Sequence, residues 1–154
     1  LLHKTPSSFE PSTTVTPSSN TKTRWIVLLL SSVIIMSTTY CIDNPAALHD
    51  QLEAHFAEKL TATSYEYYYN LLYTTYSSPN ILLPIFNGLL IDKLGVSTMI
   101  IILTVILTAG QFLFAFAAAT LNTNLMLLAR FVYGIGGESV GVALLVLIGK
   151  WFRG

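Results

Sequence analysis

Three long runs without a charged side chain constrain this chain more than any other feature. Residues 25–42 are uncharged over 18 positions, residues 67–91 over 25 and residues 94–129 over 36. An α-helix needs about 20 residues to cross the ~30 Å hydrocarbon core of a bilayer. The first two runs therefore each predict one membrane-spanning helix, and the third is long enough for more than one.

The composition agrees with a chain that is solvated by lipid. Of 154 residues, 53% are hydrophobic and 10% are charged, against about 25% charged residues in an ordinary soluble domain. Eight basic and eight acidic residues cancel, so no net charge favours nucleic acid, and the expected partner is the bilayer. The single cysteine, Cys41, excludes an intrachain disulfide and a cysteine metal cluster, and we expect neither a metal nor a cofactor.

A polar cluster at residues 120–124, TLNTN, divides the third run and is typical of a turn. We therefore predict an all-α membrane protein with four transmembrane helices, at about residues 25–42, 65–91, 96–119 and 125–151. Residues 24–154 would form one partial bundle. Residues 1–23 are rich in serine, threonine and proline, which predicts a disordered tail.

The connection at residues 43–64 carries apolar side chains at helical spacing, at Leu48, Leu52, Phe56 and Leu60. This pattern predicts either a short amphipathic helix on the membrane surface or an extension of the first span. The connection also holds His49 and His55. They are either sensors of an acidic compartment or ordinary solvated histidines.

Lysine and arginine outside the spans predict the orientation of the chain. With a cytoplasmic N-terminus, one of these residues, Lys59, lies on the outer side, and the other six lie inside: Lys4, Lys22, Arg24, Lys93, Lys150 and Arg153. Because cytoplasmic loops carry the excess of positive charge, we predict that the N-terminus is cytoplasmic.

The sequence GIGGESVG, residues 134–141, is open to three interpretations. Its second half fits the G-x-S-x-G pattern of a hydrolase nucleophile at Ser139. That pattern requires a preceding strand, whereas the residues before it continue a membrane-length apolar helix. A glycine-rich dinucleotide loop requires glycine where Ser139 stands. The remaining interpretation is a packed transmembrane helix, and we predict that the chain is not an enzyme.

Glu138 is an acidic residue near the middle of the fourth predicted span. A charged carboxylate in lipid costs several kcal/mol, so it faces either an aqueous cavity or a charge on another helix. Arg130 is eight residues away, about 12 Å along a helix, which disfavours direct pairing. At 100° per residue, Gly134, Gly137 and Gly141 lie on one narrow face of the helix, together with Arg130. We predict that these three glycines pack against another helix.

The second predicted span carries a polar stripe that lipid would reject. Its residues are spaced by four or seven positions, which places them on one face of a helix. They are Tyr65, Tyr69, Tyr76, Asn80 and Asn87. Pro79 and Pro84 each remove a backbone donor and predict a kink in the same span. Such a kink either lines a transport cavity or is purely structural. A weaker polar face is predicted on the first span, at Ser32, Thr39 and Asp43.

The loop GLLIDKLG, with Gly88, Asp92, Lys93 and Gly95, resembles the signature loop of the major facilitator superfamily between its second and third helices. The stretch RFVYGIG, residues 130–136, resembles the signature of its fourth helix. The resemblance covers about residues 24–154. It implies four helices of a twelve-helix fold, as part of the N-terminal six-helix half of a longer chain. It also implies alternating access, with the loop residues as a conformational gate, although an ordinary tight turn would show similar features.

Three further stretches, DNPAAL at 43–48, YSSPN at 76–80 and residues 130–139, are similar to the lysosomal dipeptide transporter branch of that superfamily. This resemblance implies dipeptide uniport out of lysosomes and a glycosylated single-span accessory subunit. It implies that Glu138 receives the amino group of a peptide, while the residue that receives its carboxylate lies beyond position 154. The other candidate substrate-binding residues are Tyr76, Asn80 and Arg130.

Two other functions stay open from the sequence. In one, Glu138 carries a proton in a proton-coupled symporter of another small organic solute. In the other, the chain is an accessory or scaffold protein of the membrane that transports nothing.

Overall fold

A computed structural model describes residues 21–152, and this part of the chain is helical without a strand. Its elements are α1 (Thr21–Ala47), α2 (His49–Phe56), α3 (Ala62–Ser77), a 3₁₀ turn (Ser78–Ile81), α4 (Leu83–Leu94), α5 (Val96–Ala119) and α6 (Thr123–Phe152). Most of the predicted disordered tail, residues 1–20, lies outside the described residues. The remaining tail residues, 21–23, form the first turn of α1.

Three of these helices are long and apolar enough to cross a membrane. They are α1 from Lys22, α5 and α6. The helix predicted at 96–119 has the same bounds in the structure, and the one predicted at 125–151 differs by two residues at its start and one at its end. The second predicted span differs, because it consists of α3 and α4, with 16 and 12 residues. Neither of these is long enough to cross a bilayer alone.

The two prolines explain why the second predicted span is broken. Pro79 and Pro84 lack the N–H groups that would bond the carbonyls of Thr75 and Asn80 in an α-helix. The Ser78 hydroxyl donates instead to the Thr75 carbonyl at 3.0 Å. The backbone tightens into a 3₁₀ turn before α4 begins, so the kink predicted from the prolines is confirmed and amounts to a complete break in the α-helix.

The connection after the first span contains both of the structures that its sequence allowed. The helix α1 continues past Asp43 to Ala47, and a separate short helix, α2, follows it. Phe56 at the end of α2 is buried with Tyr65 and Leu72 of α3 in a cluster that α5 and α6 complete. Leu48, by contrast, is exposed. The amphipathic helix therefore packs through its later apolar positions onto the ends of three longer helices.

The central element is α6, which contacts α1, α3, α4 and α5. Small side chains allow its close approach to α5. A Cβ atom on Gly110 of α5 would lie 2.9 Å from the Tyr133 backbone nitrogen, and one on Gly136 would lie 3.0 Å from the Leu103 carbonyl oxygen. Ala117 of α5 and Ala129 of α6 are also fully buried, in one cluster to which both helices contribute. Any larger residue at these positions would force the two helices apart.

The polar face predicted on α1 is not the face that packs against the other described helices. Ser32 and Thr39 are exposed, and each hydroxyl donates to a carbonyl of its own helix. The buried polar residues of α1 are instead Ser31 and Thr38. The Thr38 carbonyl accepts a hydrogen bond from the Tyr133 hydroxyl of α6 at 2.9 Å. The face of α1 that packs against α6 is therefore one residue away from the predicted polar face, which is exposed.

Candidate functional site

Glu138 lies on the central helix with its side chain exposed, although Gly137 and Ser139 on either side are buried. Its Oε1 atom accepts a hydrogen bond from the Tyr76 hydroxyl at 3.0 Å. Within residues 21–152 the Glu138 carboxylate makes no second hydrogen bond. The carboxylate is therefore held by one hydroxyl on one side and remains accessible on the other.

Tyr76 occupies a notch that two glycines of α6 create. A Cβ atom on Gly137 would lie 3.0 Å from the Tyr76 hydroxyl oxygen, and one on Gly134 would overlap the Tyr76 carbonyl oxygen. The Tyr76 side chain is 7% exposed. Close packing at Gly134 and Gly137 thus sets where the tyrosine hydroxyl meets Glu138. At Gly141 the described residues place nothing within 4 Å of an added Cβ, so the structure provides no packing partner there.

Asn80 lies in the 3₁₀ turn that follows Tyr76. Its Oδ1 atom is buried and has no hydrogen-bond partner among residues 21–152. Its backbone carbonyl also lacks an α-helical donor, because Pro84 occupies the position four residues later. A buried acceptor without a donor is costly. The broken helix therefore contains a buried acceptor that lacks a donor within the described residues.

Arg130 does not reach the surface on which Glu138 is exposed. It is 2% exposed, and its guanidinium donates to the carbonyls of Cys41 and Ile42 at 3.3 and 3.4 Å. The Cys41 carbonyl lacks its own helical donor because Pro45 follows four residues later. Arg130 therefore joins α6 to the end of α1, and in this arrangement its guanidinium is buried within the described bundle.

The environment of the Arg130 charge is aromatic. Its guanidinium carbon lies 4.5 Å from the ring centroid of Phe114 and 5.8 Å from that of Tyr133, within the range of cation–π attraction. Among the described residues it forms no ion pair with a carboxylate, Glu138 included. The sequence expectation against a pair between Arg130 and Glu138 agrees with this geometry.

The four residues of the predicted gate lie at the end of α4 and at its junction with α5. Asp92 and Lys93 are exposed, and neither has a side-chain hydrogen bond or an ion pair in the described part of the chain. Gly95 separates the two helices with φ 82°, a conformation that favours glycine. An added Cβ on Gly88 or Gly95 would meet nothing within 4 Å. Contacts for a gate would thus come from outside residues 21–152.

A buried polar pair beside Glu138 was not predicted. The Asn87 amide of α4 donates to the Ser139 hydroxyl of α6, which in turn donates to the Ile135 carbonyl at 3.0 Å. Asn87 belongs to the predicted stripe, but Ser139 was considered only as a hydrolase nucleophile. A polar residue among buried glycines was the available signal, since hydroxyls often connect transmembrane helices.

The structure also decides between the interpretations of residues 134–141. They lie within α6, without a strand or a turn. Ser139 is buried and hydrogen-bonded within the helix bundle, so it is not a serine on a hydrolase elbow. The residues that the structure describes also contain no group of three or more side chains suited to bind a metal ion.

A carboxylate exposed on a central membrane helix, beside a broken helix, is the architecture of a polytopic transporter. The chain belongs to the Major Facilitator Superfamily, whose family model matches residues 25–154. It is accordingly part of a multi-pass membrane protein of a transporter family and is not an enzyme.

Among known proteins, the chain is similar to the lysosomal dipeptide transporter MFSD1 of several vertebrates. It is 39% identical to the protein of Bos taurus, 38% to that of Homo sapiens and 35% to that of Danio rerio, each over 132 residues and 85% of this chain. The chain spans 27% of the length of each of these relatives. No solved structure matches it.

Proposed function

We propose that the protein exports dipeptides from lysosomes by uniport, through alternating access. The exposed Glu138 carboxylate, held by the Tyr76 hydroxyl on a membrane-spanning helix, carries this proposal. A carboxylate in such a segment is a functional group by default, because lipid alone would not tolerate its charge. The similarity to lysosomal dipeptide transporters provides the substrate class.

In this proposal Glu138 binds the protonated amino group of the peptide. Its accessible side offers a negative charge to the ammonium, while Tyr76 fixes the orientation of the carboxylate. The Oδ1 atom of Asn80 accepts a further N–H from the peptide once the turn at residues 78–81 opens and exposes it, since it is buried in the described arrangement. The peptide carboxylate binds a cationic residue beyond position 154.

The remaining architecture supports alternating access. Three of the described helices are each long enough to cross a membrane. We propose that α3 and α4 together form one further crossing, which lies between α1 and α5 in chain order. Discontinuous helices commonly line substrate sites near the bilayer midplane. The break at residues 78–81 would allow α4 to tilt independently of α3. At the end of α4, Gly88, Asp92, Lys93 and Gly95 would then form the cytoplasmic gate, with Gly141 packing against a helix of the longer chain.

The proposed setting follows from the distribution of charge and from the relatives. A cytoplasmic N-terminus places the connection between α1 and α3 in the lysosomal lumen. A glycosylated single-span accessory subunit is the proposed protein partner, on the resemblance given above. The orientation and the accessory subunit are both independent of the role of Glu138. Accessibility of an N-terminal epitope tests the orientation, and co-purification tests the accessory subunit.

The direct test is Glu138→Gln in the full-length protein, reconstituted in proteoliposomes. Glutamine preserves the size of the side chain and removes the charge, so we expect dipeptide flux to fall at least about tenfold, the equivalent of ~1.4 kcal/mol. Glu58→Gln is the matched control, because Glu58 is an exposed carboxylate outside the helices. Flux equal to that of the wild type in Glu138→Gln would refute the proposal.

A proton-coupled symporter is the second candidate, because the Glu138 carboxylate is accessible and is therefore able to exchange a proton. The two candidates differ in their response to a pH gradient across the proteoliposome membrane. A symporter accumulates substrate against its concentration gradient when a proton gradient is imposed. A uniporter only equalises the two concentrations.

A further inference from the structure

His49 lies between two carboxylates that belong to different helices. Its Nδ1 atom lies 3.1 Å from Oδ1 of Asp50 on α2, and its Nε2 atom lies 3.0 Å from Oε1 of Glu66 on α3. Ionised carboxylate oxygens only accept hydrogen bonds, and a neutral imidazole has a single N–H donor. Both contacts are hydrogen bonds only when the imidazole is protonated.

The surroundings of the imidazole hold it in this position. Its ring packs nearly perpendicular to that of Tyr69, with centroids 4.6 Å apart, and at an angle of 69° to that of Tyr65, with centroids 5.4 Å apart. The Tyr65 hydroxyl donates to the His49 backbone carbonyl at 3.0 Å. Two aromatic rings and one backbone hydrogen bond therefore fix the histidine at the start of α2 against the outer end of α3.

We propose that His49 is a pH-sensitive latch that docks α2 onto α3 when it is protonated. The acidic groups that face it are Asp50 from α2 and Glu66 from α3, and the tyrosines that face it are Tyr65 and Tyr69 from α3. The described residues place no cation against the ring. Loss of the proton removes the positive charge that lies between the two carboxylates, together with one of the two donors, so the attraction between α2 and Glu66 of α3 weakens.

The direction of the pH dependence follows from the pKa of His49. The hydrogen bond to Asp50 is the largest cause that raises this pKa above its usual value, and Glu66 raises it further against the opposing effect of burial. Asp50 belongs to α2 itself, so the part of this shift that depends on docking is the effect of Glu66, through which protonation favours the docked arrangement. The stabilisation is fully present below the usual value of about 6.5 and is lost as the pH rises through the raised pKa.

The latch is connected to the proposed substrate site through α3. Tyr76 lies on the same helix, eleven residues after Tyr65, or about 16 Å along the axis. The effect of the latch in a cell depends on the proposed orientation, in which the segment between α1 and α3 faces the lysosomal lumen. An acidic lumen then keeps α2 docked and the outer end of α3 fixed, and a neutral compartment releases them.

The first test is a histidine titration that does not depend on transport. In the full-length protein in nanodiscs, NMR of ¹³C-labelled histidine follows His49, assigned by its loss in His49→Gln. We expect its midpoint above the usual value of about 6.5 and a lower midpoint in Glu66→Gln, which preserves the shape of the partner. His55→Gln is the control, since His55 is exposed on the same helix, and it should leave the His49 midpoint in place.

The second test measures docking itself. Spin labels at Gln51 of α2 and Thr63 of α3, both exposed, report the separation of the two helices at about pH 5 and about pH 7.5, on either side of an ordinary histidine titration. The distance distribution should broaden at the higher pH in the wild type and lose this dependence in His49→Gln. A His49 midpoint unchanged by Glu66→Gln, or equal pH dependence in His49→Gln, would overturn the latch without affecting the role of Glu138.

Discussion

At the scale of single residues, the sequence indicated which side chains are unusual but not how they are arranged. Glu138 was identified because a carboxylate is costly in an apolar span, and the structure gives it a Tyr76 partner from another helix. Arg130 is equally unusual in sequence, yet it is buried against the carbonyls of α1. Periodicity is enough to place both residues on a helix. Whether each charge is buried depends on residues far away in the sequence, which are Tyr76 for Glu138 and Cys41 and Ile42 for Arg130.

The glycines of α6 provide a matched pair of substitutions. A methyl group on Gly134 would overlap the Tyr76 backbone, whereas one on Gly141 would meet nothing in the described residues. Because overpacking costs about 1–3 kcal/mol, we expect Gly134→Ala to lower the thermal stability of the full-length protein in detergent. Gly141→Ala tests the packing proposed for Gly141, since a loss of stability there would require a partner from outside the described residues. Stability of Gly134→Ala equal to that of the wild type would contradict the packing of Tyr76 against α6.

At the scale of elements, uncharged runs predicted helices well where no proline interrupted them. The helix α5 has the predicted bounds, while the second predicted span divides at Pro79 and Pro84. The sequence located the interruption but not its extent, because that depends on the 3₁₀ turn and on the Ser78 hydroxyl, which replaces the hydrogen bond missing at Thr75. The packing face of α6 was predicted only in part, since Gly136 faces α5 instead of sharing the predicted stripe.

The contact between α1 and α6 leads to a prediction about two elements. Arg130 donates to the Cys41 carbonyl that Pro45 leaves without a helical donor. Arg130→Met should therefore destabilise the full-length protein by about 1.5–3 kcal/mol, the usual worth of hydrogen bonds to charged groups. In a Pro45→Ala background the restored N–H satisfies Cys41, and the same substitution should cost less. Both losses of unfolding free energy are measured in detergent. If Arg130→Met costs the same with Pro45 and with Pro45→Ala, the hydrogen bond to the Cys41 carbonyl does not depend on the proline.

At the scale of the whole molecule, the described helices correspond in length to about a quarter of the relatives that the chain matches. The chain spans 27% of the relatives that it resembles, and its exposed apolar side chains on α1, α4 and α5 are suited to lipid or to further helices. The class of protein was predictable because charge depletion and the loop and helix signatures are local features. The way in which the two halves of a transporter enclose a peptide is not local, and no pattern within these residues determines it.

The central claim is that Glu138 binds the amino group of a dipeptide. It is tested most directly by comparing the binding of a dipeptide and of its N-acetylated form to purified full-length protein, in the wild type and in Glu138→Gln. Acetylation removes the positive charge, so the wild type should lose at least about tenfold in affinity, or ~1.4 kcal/mol, while Glu138→Gln should bind both forms equally weakly. Equal affinity of the wild type for the two forms would contradict the claim.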